Sequence, residues 1–158
     1  MNGLCPCTRK WPRCGFDPWR KVSVPEVLLE KARLASQNAY APYSEFSVGA
    51  AIRWRGGHVS TGANVENASY GLTLCAERVA VVTAASEGHR EVEEVALWVE
   101  SDKAASPCGA CLQVLVEFCS DPSAVRLTMA SRQGARIETL ADLMPQPFRL
   151  REPDPERA

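Results

Sequence analysis

The chain has 158 residues, of which 46% are hydrophobic, enough to bury the core of one domain. Its 18 Lys and Arg nearly balance 19 Asp and Glu, leaving a formal net charge of -1, so the basic footprint of a polynucleotide binder is missing. No apolar run approaches the roughly eighteen residues of a membrane span, and the N-terminus lacks the apolar stretch of a secretory signal. These features predict a cytoplasmic protein acting on a small molecule, with neither nucleic acid nor membrane as partner.

Residues 1–22 hold Cys5, Cys7 and Cys14 among prolines, tryptophans and basic residues. Cys-Pro-Cys sets two thiols close together without a fourth ligand nearby, and the segment is too rich in proline for a transit peptide, so a disordered extension is expected. Residues 23–148 are expected to form the folded domain and 149–158 a C-terminal tail. Ser23 caps a predicted helix with Pro25 and Glu26 in its first turn; Leu28, Ala32, Ala35 and Ala39 recur at helical spacing, and Pro42 ends it. Ser47 to Trp54 and His58 to Val65 read as two strands joined by a two-residue Gly56-Gly57 turn. That register pairs Ser47 with Glu66 and leaves Phe46 on the opposite face unless a bulge or bend intervenes. His58 at the turn is expected to be solvated, and His89 falls in a loop.

Ala76 to Ser86 reads as a helix whose run Val79 to Ala85 carries no charge. A helix apolar on all sides needs cover on all sides, so a neighbouring subunit is expected against it. Glu93 and Glu94 precede a predicted central strand, Val95 to Val99. A third helix runs from Cys108 through Leu112, Val114, Leu115, Val116 and Phe118, with Cys119 in the core or an interface. Val125 to Ala130 and Ala135 to Thr139 close the sheet around a turn at Ser131 to Gly134, and Leu140 to Met144 forms a last helical turn. The order helix, hairpin, helix, strand, helix, strand, strand predicts an α/β domain, a mixed five-stranded sheet between helical layers.

Two pieces carry the chemistry: Cys75-Ala76-Glu77-Arg78 and Pro107-Cys108-Gly109-Ala110-Cys111, each opening a predicted helix. Cys108 and Cys111 lie one turn apart on one helix face, where both sulfurs can reach one zinc ion, and Cys75 supplies a third ligand. A helix N-terminus favours the thiolate, because its unpaired N–H groups and the positive end of its dipole stabilise negative charge. Three ligands leave a tetrahedral position open for water, which marks a catalytic rather than a structural zinc. Glu77, two residues from Cys75, suits a proton shuttle better than a fourth ligand. With three of the seven cysteines engaged by metal, a disulfide framework is unexpected and a reducing compartment fits.

These segments, in one order with Pro42-Tyr43-Ser44-x-Phe46, Val48-Gly49-Ala50-Ala51, Asn64 to Gly71 and Met144-Pro145-x-x-Phe148, closely resemble the zinc-dependent cytidine deaminases over residues 40–148. The resemblance implies a three-layer α/β/α fold, one Zn2+ per chain on Cys75, Cys108 and Cys111, and hydrolytic deamination of cytidine and deoxycytidine in pyrimidine salvage. It implies that Glu77 takes a proton from water at the metal and delivers protons to N3 and to the departing amine of cytosine. It further implies that Asn64 and Glu66 hydrogen-bond the ribose hydroxyls, that Phe46 and Ala76 line the pocket, and that Arg78 tempers the charge on the ligand sulfurs. Ala68, Tyr70 and Phe148 match residues that reach a pocket in part from neighbouring subunits of a homotetramer with shared active sites, Phe148 stacking on the pyrimidine. The family commonly has Arg where this chain has Leu112, which removes one positive group near the site or the interface.

Glu66 also selects by charge: a carboxylate accepts from a free 3′-hydroxyl but repels a 3′-phosphodiester. Among rival readings, a thioredoxin-like dithiol leaves Cys75-Ala76-Glu77 unexplained, and a structural zinc module wants a fourth protein ligand. A Ser-His-Asp hydrolase would have to draw on His58 or His89, neither of which lies in a supporting motif. The near alternative is a blasticidin S deaminase of the same superfamily, which shares the Cys-x-Glu and Cys-x-x-Cys parts; Arg78 and the Asn64 to Tyr70 run favour the nucleoside enzyme.

Overall fold

The computed structural model describes residues 26–150. The expectations for residues 1–22, for Ser23 and Pro25, and for the tail beyond Leu150 lie outside them. Five strands form one mixed sheet in the order β2-β1-β3-β4-β5: β1 is Val48–Trp54, β2 Val59–Ala63, β3 Val92–Val99, β4 Arg126–Ser131 and β5 Gly134–Thr139. β1 runs antiparallel to both β2 and β3, β3 and β4 are parallel, and β5 returns antiparallel to β4.

Helices cover both faces. α1, Glu26–Ser36, packs Leu28 and Ala32 against Ala51 and Ala96 on one side. α2, Ala76–Ser86, α3, Gly109–Glu117, and α4, Leu140–Leu143, enclose the larger core on the other, around Ile52, Trp54, Val95, Leu97, Leu115 and Leu127. The alternation of β1 explains the division: Ala51 faces α1, while Ala50, Ile52 and Trp54 face α2 and α3. This is the three-layer α/β/α architecture.

Three elements differ from expectation. The first helix stops at Ser36, short of Ala39 and Pro42: the Ser36 hydroxyl donates to the Arg33 carbonyl, and residues 37–39 close with tighter i to i−3 bonds. β3 begins at Val92, so Glu93 and Glu94 lie inside it; buried Glu94 is held by Arg53 at 2.6 Å and Arg126 at 3.2 Å. The hairpin loop has three residues, Arg55 to Gly57, because Trp54 N–H donates to the His58 carbonyl and both glycines adopt positive φ. Arg53 therefore pairs with Val59 and Gly49 with Ala63. The ladder ends there: Glu66 N–H donates to the Tyr40 carbonyl at 2.8 Å and Val65 bridges to Tyr40 and Leu74, so the expected pairing of Ser47 with Glu66 does not form.

Candidate active site

The N-termini of α2 and α3 meet beside β1 and β3. Cys75 is the N-cap of α2 and Cys108 the N-cap of α3, both in extended conformation, and Cys111 follows one turn into α3. Cys108 Sγ and Cys111 Sγ are 3.4 Å apart, and the three sulfurs all lie within 4.8 Å of one another. Thiolates sharing a tetrahedral zinc at about 2.3 Å stand about 3.8 Å apart, so this donor set fits the metal. Cys75, Cys108, Cys111 and Cys119 are free thiols.

The sulfurs are electrostatically unequal. The Cys111 thiol and then the Arg78 guanidinium hold Cys75 well below the ordinary thiol value, whereas the same Cys75 partnership and burial push Cys111 up. Arg78 donates to the Thr73 carbonyl at 2.7 Å and stands 3.9 Å from Cys75 Sγ, the place expected of a group that tempers sulfur charge. Glu77 is only 4% exposed. Burial, reinforced by the negative charge of Cys75, holds its carboxyl above the usual range, the direction a proton-transfer group at neutral pH requires.

A cavity of about 410 Å³ opens onto these groups, lined by Cys75, Ala76, Glu77 and Cys108 together with Phe46, Asn64 and Glu66. Its volume suits one small ligand. β2 ends at Ala63, two residues short of the expected Val65, so Asn64 and Glu66 both lie beyond it. Asn64 bridges two segments, its Oδ1 accepting from Val48 N–H and its Nδ2 donating to the Phe46 carbonyl, both at 2.9 Å. One amide N–H remains for a ligand hydroxyl. Glu66 accepts from Tyr43 N–H at 2.9 Å, Ser44 N–H at 3.2 Å and the Ser44 hydroxyl. That hydroxyl, then the two N–H groups, hold the Glu66 carboxyl below its ordinary value, so it carries full charge at neutral pH.

Phe46 lines the cavity just after Glu45, whose φ of 54° turns the chain. Ser44, Thr73, Leu97, Val99 and Ser106 also line the cavity and are new to the site. Ser44 was legible as part of the Pro-Tyr-Ser-x-Phe motif, but its bond to Glu66 spans 22 positions and has no local signal. Three expected residues stand apart from the cavity wall. Ala68 is exposed, Tyr70, in a 3₁₀ turn over Tyr70–Leu72, is 79% exposed, and Phe148 is 70% exposed with its carbonyl accepting from Gln113. The two histidines lie at the far end of α2, an 11-residue helix about 16 Å long, where His58, its side chain 36% exposed, also stacks on His89.

Residues 23–127 match the sequence family described as the cytidine and deoxycytidylate deaminase zinc-binding region. The chain belongs to that family. A cytidine deaminase of Halalkalibacterium halodurans is 44% identical over 124 residues, covering 78% of this chain and 92% of its own. The crystal structure of cytidine deaminase from Burkholderia pseudomallei superposes with a TM-score of 0.74 at 41% identity, over 79% of this chain and 99% of that one. That from Mycobacterium tuberculosis gives 0.67 at 40%, over 79% and 97%. The sheet and helical layers described above are thus the cytidine deaminase fold, and the three-cysteine cluster falls within the zinc-binding region of the family.

Proposed function

We propose that this family member is a zinc-dependent hydrolase that deaminates cytidine and deoxycytidine, serving pyrimidine salvage. The observation that carries the reading is a cluster of three metal-competent thiols, two of which line one small cavity together with a buried carboxyl of raised proton affinity, a second carboxylate and an amide. Zinc held by Cys75, Cys108 and Cys111, one ion per chain, supplies Lewis acidity that makes a water molecule nucleophilic near neutral pH.

The protein's own groups do the rest. Glu77, dry and lining the cavity, takes one proton from water and gives it to ring N3 as the water oxygen bonds to C4. It then takes the second proton from that oxygen and gives it to the amine as the C4–N bond breaks, leaving a C4 carbonyl and ammonia. Cys75 and Cys108, as N-caps, lie where two helix dipoles favour negative charge, and Arg78 withdraws part of the excess. Phe46 and Ala76 confine the base. Glu66 accepts from a sugar hydroxyl and Asn64 donates to one; the full charge on Glu66 disfavours a 3′-phosphodiester, which supports a free nucleoside over nucleic acid.

The oligomer belongs to the same proposal. Tyr70, Leu72, Phe148 and Leu150 leave large apolar side chains exposed, and Val82 on α2 is 55% exposed. Such surface supports a homotetramer in which Ala68, Tyr70 and Phe148 complete a neighbour's site. A ligand set of reduced thiols supports a cytoplasmic setting.

The test is loss of absorbance on adding purified protein to cytidine, deoxycytidine, deoxycytidine monophosphate or blasticidin S. Turnover of the two nucleosides is expected. Turnover of blasticidin S alone would reject the nucleoside reading.

A further inference from the structure

The two carboxylate oxygens of Glu66 are held by different kinds of donor. Oε2 accepts from Tyr43 N–H at 2.9 Å and Ser44 N–H at 3.2 Å, whereas Oε1 accepts from the Ser44 hydroxyl. Main-chain donors on one oxygen leave the carboxylate plane free to turn about that point; a donor on the second oxygen fixes the plane. The Ser44 hydroxyl does a second thing with the same atom. Its Oγ accepts from Phe46 N–H at 3.1 Å, closing a turn across Glu45, the residue with φ of 54°. Donation to a charged acceptor makes Oγ a better acceptor itself, so the two bonds reinforce each other. The Phe46 carbonyl in turn accepts from Asn64 Nδ2 at 2.9 Å. Ser44, Phe46, Asn64 and Glu66 all line the cavity, and the Ser44 hydroxyl joins the carboxylate to the aromatic residue.

We propose that Ser44 is a positioning residue for substrate recognition: its hydroxyl aims the Glu66 carboxylate at a sugar hydroxyl and so sets the preference for nucleosides that carry one. This rests on the reading of the chain as a nucleoside deaminase in which Glu66 accepts from the sugar. An ionised carboxylate has about four acceptor sites, two on each oxygen. Tyr43 N–H and Ser44 N–H fill both on Oε2, and the Ser44 hydroxyl fills one on Oε1. The site left for substrate is therefore on Oε1, the oxygen that among the described residues only the Ser44 side chain restrains. That hydroxyl is also the strongest influence keeping the Glu66 carboxyl below its ordinary value, so the acceptor stays charged.

The full-length, zinc-loaded protein is assayed on cytidine and on 2′,3′-dideoxycytidine, which has the same base and lacks both hydroxyls of the sugar ring. Wild type is expected to favour cytidine in kcat/KM. In Ser44→Ala that preference is expected to fall about tenfold, through a higher KM for cytidine with kcat little changed. Damage to the fold or to the seating of Phe46 falls on both substrates and cancels in the ratio. Ser44→Thr, which keeps a hydroxyl at this exposed position, is expected to restore most of the preference. Followed by NMR, the Glu66 carboxyl is expected to titrate closer to the 4.5 of an isolated glutamate in Ser44→Ala than in wild type. An undiminished preference in Ser44→Ala, an equal loss in Ser44→Thr, or an unmoved Glu66 titration would each overturn the positioning role. Wild type that turns over both substrates alike would instead reject the sugar contact of Glu66, and no turnover of cytidine would reject the nucleoside reading, both before any variant is compared.

Discussion

Glu77 and Glu66 both line the cavity and illustrate how one residue type is tuned in two directions. Burial beside a negative sulfur raises the proton affinity of the first, while a hydroxyl and two N–H groups lower that of the second. Glu77→Gln keeps the shape and removes the titratable proton; turnover is expected to fall by about a thousandfold or more with zinc content unchanged. Steady-state kinetics paired with metal analysis checks this, and substantial activity in the variant would remove Glu77 from the mechanism. For Glu66 the folded value lies below the 4.5 of an isolated glutamate. Its stabilisation is therefore present above about that pH and is lost as pH falls through the lower folded value. The urea midpoints of wild type and Glu66→Gln are expected to differ most at neutral pH and to converge in acid. A gap independent of pH would contradict the assignment.

At the scale of elements, the site depends on how closely α2 approaches the hairpin. A Cβ added at Gly62 would stand 2.4 Å from the Ala76 carbonyl oxygen and 2.5 Å from Ala80 N, both backbone atoms that cannot turn aside. Gly62 lets the first turn of α2, with Glu77 in it, lie directly on β2. Gly62→Ala is expected to cost about 3 kcal/mol by overpacking and to lower activity together with stability, read from denaturant curves and assays on the same samples. A neutral effect on both would show that α2 is free to move away. The hairpin loop makes the complementary point. Paired glycines announced a turn, but whether it spans two or three residues depends on which carbonyl Trp54 N–H finds, and that one-residue difference shifts every cross-strand pair of β1 and β2.

For the whole molecule, the proposed metal ligands come from two helices joined through β3 and a long loop, so zinc and fold are expected to be coupled. Zinc at about a thousandfold its Kd adds about 4 kcal/mol, or about 10 °C in Tm for a chain of this size. Chelation, or Cys108→Ala, should remove most of that increment in calorimetry, and an unchanged melting point would dissociate the thiols from the metal. The proposed tetramer should elute in gel filtration near four times 17.2 kDa, whereas a monomer mass would leave Tyr70 and Phe148 without a neighbouring site to complete. Sequence alone placed the three candidate ligand thiols and Glu77 at the starts of two helices and set the succession of helices and strands along the chain, because helical period, strand alternation and the Cys-x-Glu and Cys-x-x-Cys spacings are local properties of the chain. Tertiary structure alone decided the hairpin register, the bonds from Ser44 to Glu66 and from Asn64 to Phe46, and the stacking of His58 on His89. Those pairings join residues 18 to 31 positions apart or hang on a single loop hydrogen bond, and only the folded backbone brings such partners within reach.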